Sequence, residues 1–169
     1  MGRYPVRVAT PGKRSMLLAL SLAWHAFATA ADVLPAHLTG TWGTAESLFA
    51  GEDEQVELRL LPDGYGVMAG STPPARRMDG SNATVPDMRI VMGFPLRATF
   101  AGDTLTARMI ALDPRQEDEA RRTVITCRFD AGGQTLTCTV PAGPPVLMTR
   151  RSEKVSEDTI RTIEEVRTR

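Results

Sequence analysis

Apolar and polar residues alternate with a period of two on both sides of three short loops, Asp63-Gly64, Gly102-Asp103 and Gly132-Gly133. In a two-residue hairpin, facing residues have numbers with a constant sum, so each loop predicts its own set of partners. About Asp63-Gly64 they are Leu60 with Val67, Leu58 with Ala69 and Val56 with Ser71. About Gly102-Asp103 they are Phe100 with Leu105, Ala98 with Ala107 and Leu96 with Met109. About Gly132-Gly133 they are Phe129 with Leu136, Cys127 with Cys138 and Ile125 with Val140. The alternation puts each set on one face, and polar residues such as Glu57, Arg59, Thr99, Thr126 and Thr137 on the other. A slip of one residue would invert every side chain, so agreement at three loops argues for hairpins. A longer, bulged loop would shift the local register and keep the hairpin.

The same reading predicts a first strand over 41–49, one or two strands through 88–92 and 95–100, and a return over 104–112. A hairpin over 121–140 and a last short strand over 146–149 follow. Residues 71–87 read as a long exposed loop rich in turn formers, and 113–119 as a charged connector. Eight or nine strands at this spacing make an all-β fold, an antiparallel up-and-down meander forming a small barrel or sandwich. Closure into a barrel would hide the edge strands. The tail, 152–169, differs in kind. Ser156-Glu157-Asp158 has the pattern of a helix start, and Ile160, Ile163 and Val166 make a thin apolar stripe. A surface-docked helix is favoured there over a partner-binding element.

The first thirty residues read as a secretory signal. Arg3, Arg7, Lys13 and Arg14 precede a short apolar run over 16–27, and Ala28-Thr29-Ala30 fits a small-x-small cleavage pattern. The run falls short of the roughly 20 residues of a membrane span. The domain division is therefore 1–30 signal peptide, 31–151 β-domain and 152–169 charged tail. Removing thirty residues from 169 leaves 139, the size of one domain. Four basic residues and no acidic ones leave with them, so a balance of 20 and 20 becomes 16 against 20, a net charge of −4. No basic tract interleaved with aromatics recommends nucleic acid.

Cys127 and Cys138 are the only cysteines, an even count in a chain read as exported. The hairpin register places them opposite each other on the inward face. A two-residue loop makes them a hydrogen-bonded pair, with Cα atoms about 5.5 Å apart, within reach of a disulfide. Closing so short a loop contributes roughly 2–3 kcal/mol.

Leu38-Thr39-Gly40-Thr41-Trp42-Gly43 carries a Gly-x-Trp at the start of the first strand. This resembles the opening motif of lipocalins and related calycin barrels. The resemblance implies that Trp42 plugs the closed end of a barrel, with Gly40 beside it and an arginine near the last strand, Arg150 or Arg151, packed across the indole. It also implies a helix after the last strand. The family's mid-chain Thr-Asp-Tyr motif is absent, and Leu112-Asp113-Pro114 is not a match. That departure points to an irregular calycin-like barrel rather than an orthodox lipocalin.

Candidate chemistry is sparse. His37 is the only histidine after the signal, and it precedes every strand; a solvated loop residue is its default reading. Glu52-Asp53-Glu54 and the carboxylates Asp113, Glu117, Asp118 and Glu119 lack the spacing of a calcium loop. No catalytic residue, metal site or cofactor is assigned. The inward face suggests a pocket instead. Ala69, Ala98 and Ala107 are small, and Leu58, Leu96, Phe100 and Met109 around them are apolar. Small residues in a small barrel either leave a cavity, with a methionine lining that adapts to its occupant, or have their space filled by large neighbouring side chains. The expected function is a periplasmic or secreted barrel that binds an apolar or amphipathic envelope ligand. The alternatives are an inhibitor or immunity-type protein that binds an envelope hydrolase through its loops, and an envelope enzyme.

Overall fold

The computed structural model describes residues 33–168 apart from Gly80, Asn82, Ala83, Pro86, Asp87 and Ala142. The expected signal segment, 1–30, lies outside the described residues.

Ten strands and two α-helices follow in order: β1 (Gly40–Gly43), β2 (Gln55–Leu60), β3 (Tyr65–Ser71), β4 (Ala75–Arg76), β5 (Thr84–Val85), β6 (Val91–Ala101), β7 (Thr104–Met109), α1 (Glu117–Arg122), β8 (Val124–Asp130), β9 (Thr135–Thr139), β10 (Val146–Ser152) and α2 (Glu157–Arg167). Eight of the strands close into an antiparallel barrel in the order β1-β10-β9-β8-β7-β6-β3-β2, so no long edge is left to pair with another chain. β4 and β5 form a separate two-stranded ribbon.

Two of the three hairpins have the register expected of them. Around Gly102-Asp103, Phe100 faces Leu105, Ala98 faces Ala107 and Leu96 faces Met109. Around the third loop, Phe129 faces Leu136 and Cys127 faces Cys138, while Val140 lies just past the end of β9. That loop widens symmetrically to four residues, 131–134, so the sum is kept.

The first hairpin differs by one residue. Leu60 faces Gly66, Leu58 faces Met68 and Val56 faces Gly70, not Val67, Ala69 and Ser71. Leu61 N–H donates to Tyr65 O at 2.8 Å, which makes Pro62-Asp63-Gly64 a three-residue loop. Gly64 supplies the positive φ of 83° that such a loop needs. The slip moves Gly66 and Met68 to the inward row and Ala69 to the outward one. Gly66 is required there, because a Cβ would overlap Arg59 O and crowd Leu60 and Leu96.

Two boundaries also differ from expectation, and one left open is decided. The first strand stops at Gly43, and 44–54 is a loop folded onto the outside of β2 and β3. Ser71 Oγ donates to Leu48 O at 2.6 Å and Thr44 Oγ1 to Gln55 Oε1 at 2.7 Å, which binds this loop down and buries Leu48. β6 is one strand of 11 residues, uninterrupted at Gly93 and Phe94. Finally, the charged connector holds a helical turn and α1.

The tail forms α2. Ser156 caps it by accepting from Thr159 N–H at 3.4 Å. Ile163 and Thr159 are buried, and Arg59 Nη1 donates to Thr159 Oγ1 at 2.9 Å, so the helix lies on the outer face of the barrel. Arg167 pairs with Asp63 and stacks over the Tyr65 ring, fixing the far end. Arg161 lies 3.7 Å from Asp158 rather than pairing with Glu157 or Glu165.

Inward residues of all eight strands make one core, including Trp42, Leu58, Leu60, Leu96, Leu105, Ile125, Leu136 and Met148, all with no exposed surface. Among the described residues, no helix is long and apolar enough to cross a membrane.

Candidate functional site

The two ends of the barrel are built differently. At one end the hairpin loops are short, and the lead-in folds across the opening. Leu34 N–H donates to Pro62 O at 2.7 Å and Leu38 N–H to Pro35 O at 2.9 Å, which leaves Leu34 and Leu38 buried against the core. The Trp42 indole N–H reaches back to Leu38 O at 2.9 Å, satisfying a polar atom that burial would otherwise strand. The edge of the Trp42 ring meets Phe129 at 6.1 Å, and His37 covers the outside, 4.8 Å from Phe129 and 5.9 Å from Phe100.

Gly40 starts β1 with φ of 108°, and a Cβ there would run into Ser152 O. Only glycine fits a left-handed position so close to another strand. A bulge between β1 and β10 then aligns Trp42 with Arg150 and leaves Arg151 outside. Arg150 lies over the indole, 5.9 Å from the ring centroid. Its Nη2 donates to Thr39 O at 2.7 Å and Ala36 O at 3.1 Å, tying the lead-in to the last strand. Arg150 Nε is buried with no hydrogen-bond partner among the described residues.

At the other end the described residues of the long connections 44–54, 72–90, 110–123 and 140–145 surround an opening. It holds a cavity of about 650 Å³. That volume suits a small organic ligand. Val56, Met68, Phe94, Met109 and Val140 form its apolar walls, and the partly exposed Leu112 also lines it. Gln55, Thr72, Gln116 and Thr123 add polar atoms near the rim. Among the described residues, the only charged ones lining it are Glu54 and Glu119.

The rim is tied together by backbone acceptors. Arg89 Nη1 donates to Asp53 O at 2.7 Å and Thr72 O at 3.0 Å, and its Nη2 reaches Ala50 O and Gly51 O. One guanidinium thereby joins the 44–54 and 72–90 loops. On the opposite side, Ile110 N–H donates to Pro95 O at 2.9 Å and Leu112 N–H to Gln116 Oε1 at 2.9 Å. The rim also exposes Met88, Ile90, Met92 and Leu112, at 62%, 64%, 70% and 39%, beside the apolar cavity.

Of the residues read from sequence as ligand-lining, Met109 borders this cavity from the inward row, and Ala69 touches it only at the rim, from the outward row of β3. Leu58, Leu96, Ala98 and Ala107 have no exposed surface and belong to the packed core below it. Phe100 is half-buried at the sealed end beside His37. The cavity sits higher in the barrel than the alanine pattern implies. Met68 was concealed by the one-residue slip, and Met92 and Phe94 by the undecided break in β6. Val56 and Val140 already stand at the outer ends of two hairpin patterns, so position along the strand is the signal that finds them.

Cys127 and Cys138 form a disulfide, and no free cysteine exists among the described residues. Their Cα atoms are 3.9 Å apart, closer than the hydrogen-bonded pair expected. The wider loop explains this: adding one residue on each side exchanges hydrogen-bonded and non-hydrogen-bonded positions along the ladder. Among the described residues, no group of three or more His, Cys, Asp or Glu side chains converges on a metal site. His37 lies at the sealed end, away from the cavity. The acidic turn 52–54 contributes only Glu54 to the cavity wall.

No protein-family model and no curated protein matches the chain. Among solved structures it is similar to lipoprotein YedD from Klebsiella pneumoniae subsp. pneumoniae, at 13% identity and a TM-score of 0.42, over 80% of this chain and 89% of that one.

Proposed function

We propose that this protein is an exported, calycin-like β-barrel that holds a small apolar or amphipathic molecule in its open end. The observation that carries the reading is the cavity of about 650 Å³ walled by Val56, Met68, Phe94, Met109 and Val140. An apolar concavity with a few polar groups at its rim is the usual form of a small-molecule site. The lipocalin-like arrangement of Gly40, Trp42 and Arg150 supports a barrel sealed at one end and open at the other. The secretory pattern of residues 1–30 and the Cys127–Cys138 disulfide support a periplasmic or secreted location.

Native mass spectrometry of protein purified gently from the periplasm tests this reading. A reproducible small-molecule adduct is expected, and Met109→Trp, which narrows the cavity, weakens it. An adduct-free mass, with no binding of an environment-sensitive apolar dye, would refute it.

A second reading, a loop-mediated protein inhibitor, has one observation in its favour. Phe49, Met88, Ile90 and Met92 expose apolar surface on the rim, as protein-binding patches do. Replacing Phe49 and Met88, which lie outside the cavity wall, separates the two readings. Loss of a protein partner with the dye still bound would favour the inhibitor.

A further inference from the structure

We infer that the occupant of the open-end cavity is a single-chain amphiphile whose head group is cationic, not a fatty acid or another anionic lipid. The inference rests on the small-molecule reading above and adds the chemical class of the ligand.

Apolar residues form the cavity walls, and charge enters only at its rim. Glu54 stands at the start of β2, and Glu119 lies on α1 across the opening. Neither carboxylate takes part in an ion pair among the described residues, whereas their neighbours Glu117 and Asp118 are both close to Arg121. No Arg, Lys or His lines the cavity among the described residues. Arg89, which adjoins the lining residue Ile90, directs its guanidinium to carbonyls of the two rim loops. Arg108 and Arg122 are exposed next to Met109 and Thr123 and lie outside the lining.

A chain that enters this barrel leaves its head group at the level of Glu54 and Glu119. An anionic head would meet two carboxylates that form no ion pair among the described residues, and Arg89, a cation at this rim, already has its guanidinium donors on loop carbonyls. A cationic head would meet opposite charge on two sides. Gln55, Thr72, Gln116 and Thr123 offer further polar contacts at the same level. Exposed charge pairs contribute modestly, each about 0.2–1 kcal/mol. Two of them together give a preference of roughly 2- to 30-fold over an uncharged head, weakening as salt is raised.

The test compares dodecyltrimethylammonium, dodecyl maltoside and dodecyl sulfate, each below its micelle-forming concentration, by displacement of a bound apolar dye. The cationic probe is expected to bind most tightly and the anionic one most weakly at low salt. The double variant Glu54→Gln/Glu119→Gln is expected to bring the cationic affinity to that of the maltoside and leave the maltoside unchanged. The control variant Glu164→Gln/Glu165→Gln, on α2, removes the same charge far from the opening and is expected to change neither. Equal or tighter binding of dodecyl sulfate, or an equal response to the control variant, would overturn the inference and leave the cavity reading intact. Failure of all three probes to displace the dye, or a dye indifferent to Met109→Trp, would remove the cavity reading and this inference with it.

Discussion

Replacing Arg150 by methionine removes the tie between the last strand and the sealed end while keeping most of the side-chain volume. Two opposing effects set the outcome. The substitution removes two hydrogen bonds from a charged donor, to Thr39 O and Ala36 O, and the stacking of the guanidinium on Trp42. Hydrogen bonds from charged groups contribute about 1.5–3 kcal/mol each, and the lower figure applies here because these carbonyls can turn to water. The stack adds about 0.5–1 kcal/mol, since 5.9 Å is near its useful limit. Against this, the buried Arg150 Nε already lacks a partner, and removing it relieves about 1–2 kcal/mol. The balance is a loss of about 1.5–3 kcal/mol.

Urea denaturation followed by far-UV circular dichroism measures this balance at unchanged m. Arg150→Lys keeps the charge but lacks the planar fork, so it should retain only part of the loss-free stability. A cycle with Trp42→Phe isolates the stacking contribution, expected at about 0.5–1 kcal/mol. Equal stability of Arg150→Met and the unaltered protein, within about 0.5 kcal/mol, would show that apolar contacts of Leu34 and Leu38 seal this end unaided.

Three further outcomes follow from the same barrel. The pair Cys127→Ala/Cys138→Ala should lower stability by about 3 kcal/mol in denaturant, matched by reductant on the unaltered protein; an unchanged midpoint would mean the hairpin is held entirely by its ladder. Gly40→Ala should cost more than Gly102→Ala in thermal unfolding, because both have positive φ but only Gly40 has Ser152 O against its missing Cβ; equal losses would remove the steric part of that explanation. The Asp103 carboxyl is held below its ordinary value of 3.8 by the Thr104 hydroxyl first and Arg128 second. Its contribution is therefore present above that value and fades as pH falls through the lowered one, so Asp103→Asn should reduce the thermal midpoint slightly at neutral pH and not in acid. A deficit that is the same at neutral and acid pH would assign the effect to something other than ionisation.

The hairpins were legible because a buried face enforces alternation and makes register errors costly. At Asp63-Gly64 the alternation itself misled. Val67, Ala69 and Ser71 offer as plausible an inward row as Gly66, Met68 and Gly70 do, since the glycines carry no hydrophobic mark. What decides between them is local: three residues from Pro62 with a left-handed Gly64, and room at Gly66 that only glycine leaves. Whether β6 is one strand or two was open in the sequence for a related reason. Gly93 and Pro95 look like a stop, yet Gly93 sits against Ala69, where a side chain would be crowded, and Pro95 still gives its carbonyl to Ile110. The outward fold of 44–54 depends on contacts between Ser71, Thr44, Gln55 and distant backbone, which no periodicity encodes.

The small inward residues Ala98 and Ala107 leave no open space beside them, because residue size alone does not make space. Ala98 and Ala107 face each other across adjacent strands and are enclosed by larger core neighbours, so their deficit of volume is taken up. Space remains where the strands stop contributing neighbours. Above Val56, Phe94, Met109 and Val140 the chain leaves the sheet for long loops, and those loops arch around the opening instead of filling it. The lead-in has the opposite effect at the other end, where Leu34, Leu38 and Trp42 supply the missing layer. A barrel of this kind can be changed at the rim without loosening its sealed end. Substitutions at Met92 or Leu112 should alter ligand affinity and leave the denaturation midpoint nearly unchanged, whereas those at Trp42 or Arg150 should do the reverse. If rim and seal substitutions moved both properties together, the two ends would not be energetically separate, and the cavity would be part of the core.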